Sequence, residues 1–231
     1  MTETHVRRRL AAIIAADVAG FSRLMGVDEE GVLVRLKAYE RDIIAPLVAE
    51  HSGHIFKTTG DGFLAEFMSV VDAVRCALAL QEAIAARNAT TDPANVLAFR
   101  IGINVGDVIV ADGDFHGDGV NLAVRLQSLA ELGGLCISAK VYEEVAGKVA
   151  ARFNDLGTRA VKGFERPVHV YRVSSGALAR RPREHRRAAV IAALALATIG
   201  ALTWAGYALM RDGAPPPVAG VDRKSTRLNS S

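Results

Sequence analysis

Cysteine is scarce in this chain, and no metal-type spacing of cysteine and histidine occurs. The only two cysteines, Cys76 and Cys136, each lie among apolar residues. Two isolated thiols do not make the disulfide framework of a small secreted protein, and they supply no zinc-finger ligand set. The pattern favours reduced thiols in the core of a cytosolic domain.

A large excess of charge of one sign is also missing. The formal net charge is +3, with 50% of the residues hydrophobic and 23% charged. This balance excludes a mainly disordered chain and gives no diffuse basic surface, so no nucleic-acid partner is predicted. A chain of 231 residues has room for one full-size domain and a smaller appendage.

Long hydrophobic runs are absent with one exception, Ala188 to Met210, which carries no charge. Its length exceeds the roughly 20 residues that a helix needs to cross a bilayer. An arginine-rich segment, 176–187, precedes it, and such basic flanks face the cytoplasm. We therefore expect a basic linker at 176–187 and a single transmembrane helix at 188–210 in the cytoplasmic (inner) membrane, with the preceding domain in the cytoplasm. A buried core helix is the alternative.

The segment after this run has a different composition. Residues 211–221 are rich in proline, glycine and alanine and predict a flexible extracytoplasmic linker. The final residues, 222–231, resemble the translation of a sequencing adapter, so no fold is predicted for them. We expect the natural protein to continue past Val221 into an outer domain.

Strand-like and helix-like segments alternate over residues 1–175, which we take as one domain. Hairpin signals between them predict an α+β fold with helices layered on a mixed, mainly antiparallel sheet. Strands are predicted at Leu10–Asp17, His54–Thr59, Phe63–Phe67, Phe99–Val105, Asp107–Val110, Leu135–Ser138 and Val168–Val173, and helices at Glu29–His51, Val70–Arg87 and Val120–Glu131. The strands Phe99–Val105 and Asp107–Val110 are interpreted as a pair.

Two aspartates stand where predicted strands end. Asp17 ends the first strand, and Asp61 occupies the turn of the first hairpin. Aspartate beside glycine is usually a structural turn residue, but two carboxylates at neighbouring strand ends suffice for magnesium when a nucleotide supplies further oxygens. The residues Gly20, Phe21 and Ser22 would let backbone N–H groups approach a polyphosphate at the start of the next helix.

An amide and a guanidinium share one face of the helix predicted at Val120–Glu131. Asn121 and Arg125 are four positions apart, so both project from the same side. Such a pair suits a ribose and a phosphate, although on this spacing alone an ordinary solvated helix face is the commoner explanation.

The ordered blocks around these residues resemble a known family. Residues from about Arg9 to Val173 are similar to the catalytic domain of class III adenylate and guanylate cyclases, above all the bacterial membrane-linked adenylate cyclases of rhizobial type. The resemblance rests on Ala15 to Met25, Lys57 to Phe67, Arg100 to Asp107, Gly117 to Arg125, Gly133 to Ser138 and Arg166 to Val168. It implies a ferredoxin-like, palm-type domain.

The resemblance implies a metal site and a triphosphate site. Asp17 and Asp61 match the ligands of two Mg²⁺ or Mn²⁺ ions, and the backbone carbonyl of Val18 matches a further ligand. Lys162 matches the lysine that holds the triphosphate. The implied reaction is attack of the ribose 3′-hydroxyl of ATP on the α-phosphate, which gives cyclic AMP and pyrophosphate.

The resemblance also implies how the nucleotide is selected and where the site forms. Lys57 and Asp114 match the adenine-reading pair, and Asn121 and Arg125 match the transition-state residues. In this family each site lies across a dimer interface, so a homodimer is implied. Two alternatives stay open: a guanylate or mixed-specificity cyclase, and a catalytically silent, membrane-tethered binding module.

Overall fold

The computed structural model describes residues 7–111 and 114–175, which form eight strands and six α-helices. The strands are β1 Arg7–Val18, β2 Gly53–Thr58, β3 Gly62–Phe67, β4 Phe99–Ala111, β5 Asp114–His116, β6 Leu135–Ser138, β7 Ala151–Arg159 and β8 Val168–Ser175. The α-helices are α1 Phe21–Met25, α2 Glu29–Tyr39, α3 Ala45–Glu50, α4 Val70–Asn88, α5 Asp118–Leu129 and α6 Ala139–Val145.

The strands form one mixed sheet in the order β2-β3-β1-β4-β6-β8-β7, with β5 paired to β4 outside this path. The β4–β6 pairing is parallel, whereas the other pairings are antiparallel. This arrangement confirms the predicted α+β class with a mixed, mainly antiparallel sheet. The long central strand β1 pairs with β3 on one side and with β4 on the other.

Helices cover both faces of the sheet, which explains why β1 is apolar on both sides. Its even-numbered residues, such as Ile14, pack in a large core under α2, α3, α4 and α6. Its odd-numbered residues, such as Ile13, pack in a smaller core with α5. A strand buried on both faces has a continuous apolar sequence instead of an alternating one. The sheet therefore has one thickly covered face and one face on which α5 is the covering helix among the described residues.

Side-chain caps fix where three of the helices begin. The Asp28 carboxylate accepts from the Gly31 N–H at α2, and the Ser69 and Ser138 hydroxyls accept from backbone N–H groups at α4 and α6. Such caps satisfy donors that have no partner inside the helix. The predicted single helix Glu29–His51 is interrupted by a π-helical turn, Glu40–Ile44, between α2 and α3.

One strand prediction is wrong. Phe99–Val105 and Asp107–Val110 are not a hairpin pair, because β4 continues through Gly106 and pairs with β1 along its length. The partner of its far end is the short strand β5, which the sequence reasoning missed together with α6 and β7. Glycine resembles a turn residue in sequence, but here it is extended strand because the partner strand supplies a full ladder.

The predicted transmembrane helix at 188–210 and the segments 176–187, 211–221 and 222–231 lie outside the described residues. Within residues 7–111 and 114–175, no helix has the length and apolar character needed to span a membrane.

Candidate active site

The two predicted metal-binding aspartates meet at one end of the sheet. Asp17 lies opposite Gly62 in the β1–β3 pairing, directly beside the Asp61 turn. The Val18 N–H donates to the Asp61 carbonyl oxygen at 2.9 Å, which joins the end of β1 to this turn. Both carboxyl-bearing residues are half-buried. The structure therefore places Asp17, Val18 and Asp61 together, as the sequence predicts.

The turn that carries Asp61 is built around two glycines. The Thr59 N–H donates to the Gly62 carbonyl oxygen at 2.9 Å and closes the turn, while Gly60 has a positive φ of 85°. Glycine adopts this left-handed conformation at little cost. At Gly62 a Cβ atom would lie 1.9 Å from the Ala16 carbonyl oxygen, so β1 and β3 approach closely only because no side chain stands there.

An arginine that the sequence reasoning missed holds one of these carboxylates. The Arg100 Nε and terminal N–H groups donate to the two Asp17 carboxylate oxygens at 3.0 and 2.6 Å. This bidentate contact raises the pKa of Arg100, and the negative charge of Asp61 adds to that effect. The site therefore attracts positive charge. A sequence signal existed, since Arg100 begins an alternating series of polar or small residues on one face of β4.

Gly20, Phe21 and Ser22 follow β1 at the same end of the sheet. Gly20 has a positive φ of 70° and precedes α1, which begins at Phe21 and has no side-chain cap. The first N–H groups of a helix have no acceptor within it. The predicted turn from strand into helix is present, and α1 itself is only five residues long.

The two residues of the predicted adenine-reading pair lie on strands that contact each other. Lys57 is exposed on β2 beside Phe56, and Asp114 begins β5 beside Phe115. The Phe56 and Phe115 rings pack with centroids 4.3 Å apart. The Arg9 guanidinium lies 4.9 Å from the centroid of the Phe115 ring. The packing of Phe56 against Phe115 holds β2 and β5 together.

Asn121 and Arg125 lie on the exposed side of α5, as their spacing predicts. The opposite side of that helix is buried against β4, β1 and β6. This buried side fixes the helix on the sheet, and the exposure of Asn121 and Arg125 fits both the predicted ligand-facing role and the alternative of an ordinary solvated helix face. The exposed side is left free to face a ligand or another chain.

Lys162 lies in the loop between β7 and β8, at the other end of the sheet from Asp17. In the β6–β8 pairing Val170 lies opposite Ser138, the last residue of β6, whereas Asp17 lies at the end where β6 begins. The two ends are roughly 20 Å apart along the strands, at about 3.3 Å per residue. Within one chain, Lys162 and the aspartate pair therefore belong to separate places.

The donor set at Asp17 and Asp61 consists of hard oxygen atoms, which suits magnesium or manganese. Among the described residues no cluster of three or more histidine, cysteine or acidic side chains could hold a metal on its own. A two-carboxylate site therefore needs oxygens from a ligand. Near this region a cavity of about 440 Å³ lies under β2 and β3, but its lining contains none of the predicted site residues.

The mixed sheet and the paired aspartates at its end are those of a class III nucleotide cyclase. The chain belongs to the family described as "Adenylate and Guanylate cyclase catalytic domain", which it matches over residues 5–175.

A curated relative, "Putative adenylate cyclase 3" of Rhizobium meliloti (strain 1021), is 47% identical over 182 residues, covering 79% of this chain and 31% of the relative. The chain thus spans about a third of that protein's length.

Two solved structures share this fold and are also similar to the chain in sequence. The adenylate/guanylate cyclase/hydrolase from Silicibacter pomeroyi is 45% identical, with a TM-score of 0.70, over 74% of this chain and 99% of that one. The adenylyl cyclase CyaB from P. aeruginosa is 28% identical, with a TM-score of 0.65, over 77% of this chain and 98% of that one.

Proposed function

We propose that this chain converts ATP to 3′,5′-cyclic AMP and pyrophosphate in intracellular signalling, at sites formed between two copies of its cyclase domain. The observation that carries the proposal is the meeting of Asp17 and Asp61 at the ends of β1 and the first hairpin, joined by the 2.9 Å hydrogen bond from Val18 to Asp61. The adenylate cyclase name of the 47% identical relative supports ATP as the substrate.

The residues at this end of the sheet fit two Mg²⁺ or Mn²⁺ ions per site. The carboxylates of Asp17 and Asp61 and the backbone carbonyl of Val18 would hold them, and the contact of Arg100 with Asp17 supports a preference for positive charge there. When bound, such ions lower the pKa of the attacking hydroxyl and neutralise charge on the phosphates. The Arg100 guanidinium would leave Asp17 on metal entry and be free to donate to phosphate oxygens.

Side chains of the protein contact both the adenine and the triphosphate of the nucleotide. Lys57 donates to a ring nitrogen of adenine, and the carboxylate of Asp114 accepts from the exocyclic amine, whereas guanine would present a carbonyl oxygen to that carboxylate. The Phe56–Phe115 contact supports this assignment, because it keeps the strands of Lys57 and Asp114 together. Lys162 neutralises the triphosphate.

The remaining contacts concern the phosphates and the ribose. Backbone N–H groups at Gly20, Phe21 and Ser22 would donate to phosphate oxygens at the start of α1. Asn121 orients the ribose, and Arg125 stabilises the charge that develops around the α-phosphate as the 3′-oxygen attacks. No side-chain general base is assigned.

The separation of the site residues supports a homodimer. Asp17 and Lys162 lie at opposite ends of the sheet, so one chain cannot bring both to one nucleotide. Two copies related by a twofold axis place the aspartate end of each chain against α5 and Lys162 of the other and form two equivalent sites. An isolated chain should then be inactive.

Membrane attachment is a further part of the proposal. The uncharged run 188–210 would anchor the chain in the inner membrane as a single transmembrane helix, and the arginines before it would hold the cyclase domain on the cytoplasmic side.

The test is cyclic AMP formation by the purified whole chain in detergent with ATP and Mg²⁺ or Mn²⁺. Asp17→Ala and Asp61→Ala should each reduce the rate by a factor of about a thousand or more, since the carboxylates act through charge stabilisation in the transition state. The control is Asp42→Ala, which removes an exposed carboxylate from the π-helical turn. Rates that stay unchanged in either site variant would refute the metal assignment.

A guanylate or mixed-specificity cyclase is the second candidate, because the Silicibacter pomeroyi structure carries both nucleotide names. Competition between ATP and GTP in one assay separates the two, and equal cyclisation of both would remove the argument from Lys57 and Asp114. A catalytically silent binding module would bind nucleotide and yield no cyclic product from either.

A further inference from the structure

Small residues on one face of β4 allow α5 to pack closely against this strand. Gly102, Asn104 and Gly106 alternate along the strand and so point to the same side of the sheet. A Cβ atom at Gly102 would lie 2.2 Å from the Gln127 backbone nitrogen, and one at Gly106 would lie 3.4 Å from the Gly119 Cα. The backbone of α5 therefore rests directly on the backbone of β4 at both ends of this stretch.

Asn104 is the polar contact between these two glycines. Its side-chain Nδ2 donates to the Gly119 carbonyl oxygen at 3.0 Å, in the first turn of α5. The residue is only 3% exposed, and its Oδ1 atom is a buried acceptor for which the described residues supply no partner. A buried amide that makes part of its hydrogen bonds is normally unfavourable, so its presence requires an explanation.

We propose that Asn104 is a positioning residue that fixes the axial placement of α5, and with it Asn121 and Arg125, relative to the sheet. The proposal rests on the function assigned above. The apolar side of α5 and the glycine contacts hold the helix on the sheet, but neither is directional, so small shifts along the strand are possible. The directional hydrogen bond from Asn104 to Gly119 removes that freedom at the turn that precedes Asn121.

A second buried amide, which is comparable to Asn104, contacts β4 from the opposite face of the sheet. Gln81 of α4 is 4% exposed, and its Nε2 atom donates to the Phe99 and Gly134 carbonyl oxygens, both at 3.0 Å. It supports the start of β4 from the face of the sheet that α4 covers. Replacing it removes a buried amide of the same kind, so Gln81→Leu separates loss of stability from loss of helix placement.

Asn104→Leu should lower kcat by a factor of about ten to a hundred, because misplacing reacting groups by about 1 Å costs rates of that order. The KM for ATP should change by less than about threefold, since Asn121 and Arg125 act mainly in the transition state. Gln81→Leu should lower the melting temperature similarly and leave kcat per folded protein near the wild-type value. Equal loss of kcat in both variants would reduce Asn104 to a structural residue and overturn the proposal.

A second pair of variants keeps the amide and moves the helix. A Cβ at Gly119 would lie 2.9 Å from the Asp107 carbonyl oxygen, so Gly119→Ala must lift the first turn, whereas Gly106→Ala only makes van der Waals contact. Gly119→Ala should lower kcat without a comparable change in KM, and Gly106→Ala should not. The reverse order, with only Gly106→Ala losing turnover, would contradict the role of this turn.

Hydrogen–deuterium exchange on the whole chain gives a readout that does not depend on catalysis. Asn104→Leu should speed exchange of the α5 amides at residues 121–125, while Gln81→Leu should leave them protected. If the wild-type chain makes no cyclic nucleotide, the proposed function fails, and this exchange pattern still decides whether Asn104 holds α5. Unchanged α5 exchange in Asn104→Leu would overturn the inference even in an active enzyme.

Discussion

Arg100 sets the electrostatics at the aspartate end of the sheet. Its guanidinium binds both carboxylate oxygens of Asp17 and is drawn by the charge of Asp61 as well. The side chains of Arg100 and Asp17 are 29% and 19% exposed, so solvent screens the pair only in part. A cation that the protein itself supplies therefore competes with any metal ion for Asp17.

We expect Arg100→Met to destabilise the protein and to strengthen its response to magnesium. Breaking a partly buried pair should cost about 1–3 kcal/mol, between the values for exposed and for buried pairs. Two uncompensated carboxylates should then bind Mg²⁺ more tightly, so the ion should raise the melting temperature more in the variant than in the wild type. Thermal unfolding with and without MgCl₂ measures both effects.

Arg172→Met is the control for this prediction. Arg172, on β8 three strands away from β1 in the sheet, pairs with Glu131 at 2.7 Å in a salt bridge whose side chains are 36% and 66% exposed. Its loss should leave the magnesium response as in the wild type. An Arg100→Met protein that gains no stabilisation from magnesium would argue against a metal site at Asp17 and Asp61.

At the scale of elements, the β2–β3 hairpin depends on Gly62 for steric reasons and on Gly60 for conformational ones. Gly62→Ala puts a Cβ 1.9 Å from the Ala16 carbonyl oxygen, so β3 must move away from β1. We expect a loss of about 3 kcal/mol or more, and reduced activity, because the displaced strand carries the Asp61 turn. Urea unfolding and the cyclase assay measure the two effects.

Gly60→Ala provides the comparison. Its Cβ would meet nothing within 4 Å, so the cost comes only from the positive φ of 85°. A left-handed alanine costs roughly 1–2 kcal/mol. Gly60→Ala should therefore be the milder variant, and the opposite order would mean that β1 and β3 can separate without penalty.

The sequence indicates the elements that have strong local signals and misses those that depend on distant partners. The apolar run of β1 and the turn around Gly60 are local, and both predictions are confirmed. The sequence pattern predicts a break in β4 at Gly106, because the pairing with β1 that keeps this strand extended involves residues far away in sequence. The edge strand β7 has no local signal for a related reason, since its half-exposed pattern, with residues such as Asn154, lacks an apolar run.

The candidate site, like the fold, is only partly predictable from the sequence. The motifs around Asp17 and Asp61 suggested a metal site, and the structure brings these residues together. No spacing in the sequence links Arg100 to Asp17 or Asn104 to Gly119, because each pair is created by strand register and helix packing. The separation of Lys162 from the aspartates likewise follows only from the order and direction of the strands.

At the scale of the whole molecule, the two buried thiols should react with an alkylating reagent only when the protein unfolds. Cys76 and Cys136 are fully buried, and burial raises their pKa values to about 12 and about 11. At pH 8 the folded protein therefore presents almost no thiolate, and alkylation should follow global opening. Single-thiol variants, Cys76→Ala and Cys136→Ala, should be labelled at equal rates.

The same pKa values predict how stability changes with pH. Folding raises both thiol pKa values above the ordinary value of 9.0, so the unfolded chain loses its protons first as the pH rises through that value. Stability should fall on the alkaline side, and labelling should accelerate there beyond the increase in thiolate alone. Much faster labelling of Cys136 than of Cys76 would mean that the α5 face opens separately.

The last prediction concerns how two chains share the sites. A twofold dimer with Asp17 from one chain and Arg125 from the other contains two composite sites. In a mixed dimer of Asp17→Ala and Arg125→Ala chains, one site has both defects and the other has neither. Equal mixing gives about half mixed dimers, each with one intact site of two, so about a quarter of the wild-type activity should return.

The measurement is cyclic AMP formation after the two purified variants are unfolded, mixed and refolded together. Each variant refolded alone is the control and should remain nearly inactive, because both of its sites carry the same defect. A mixture of Asp17→Ala and Asp61→Ala chains should not recover activity. One chain supplies both aspartates to a given site, so each site of a mixed dimer keeps one defect. Recovery in that second pairing, or none in the first, would contradict the division of the site that the separation of Asp17 from Lys162 supports.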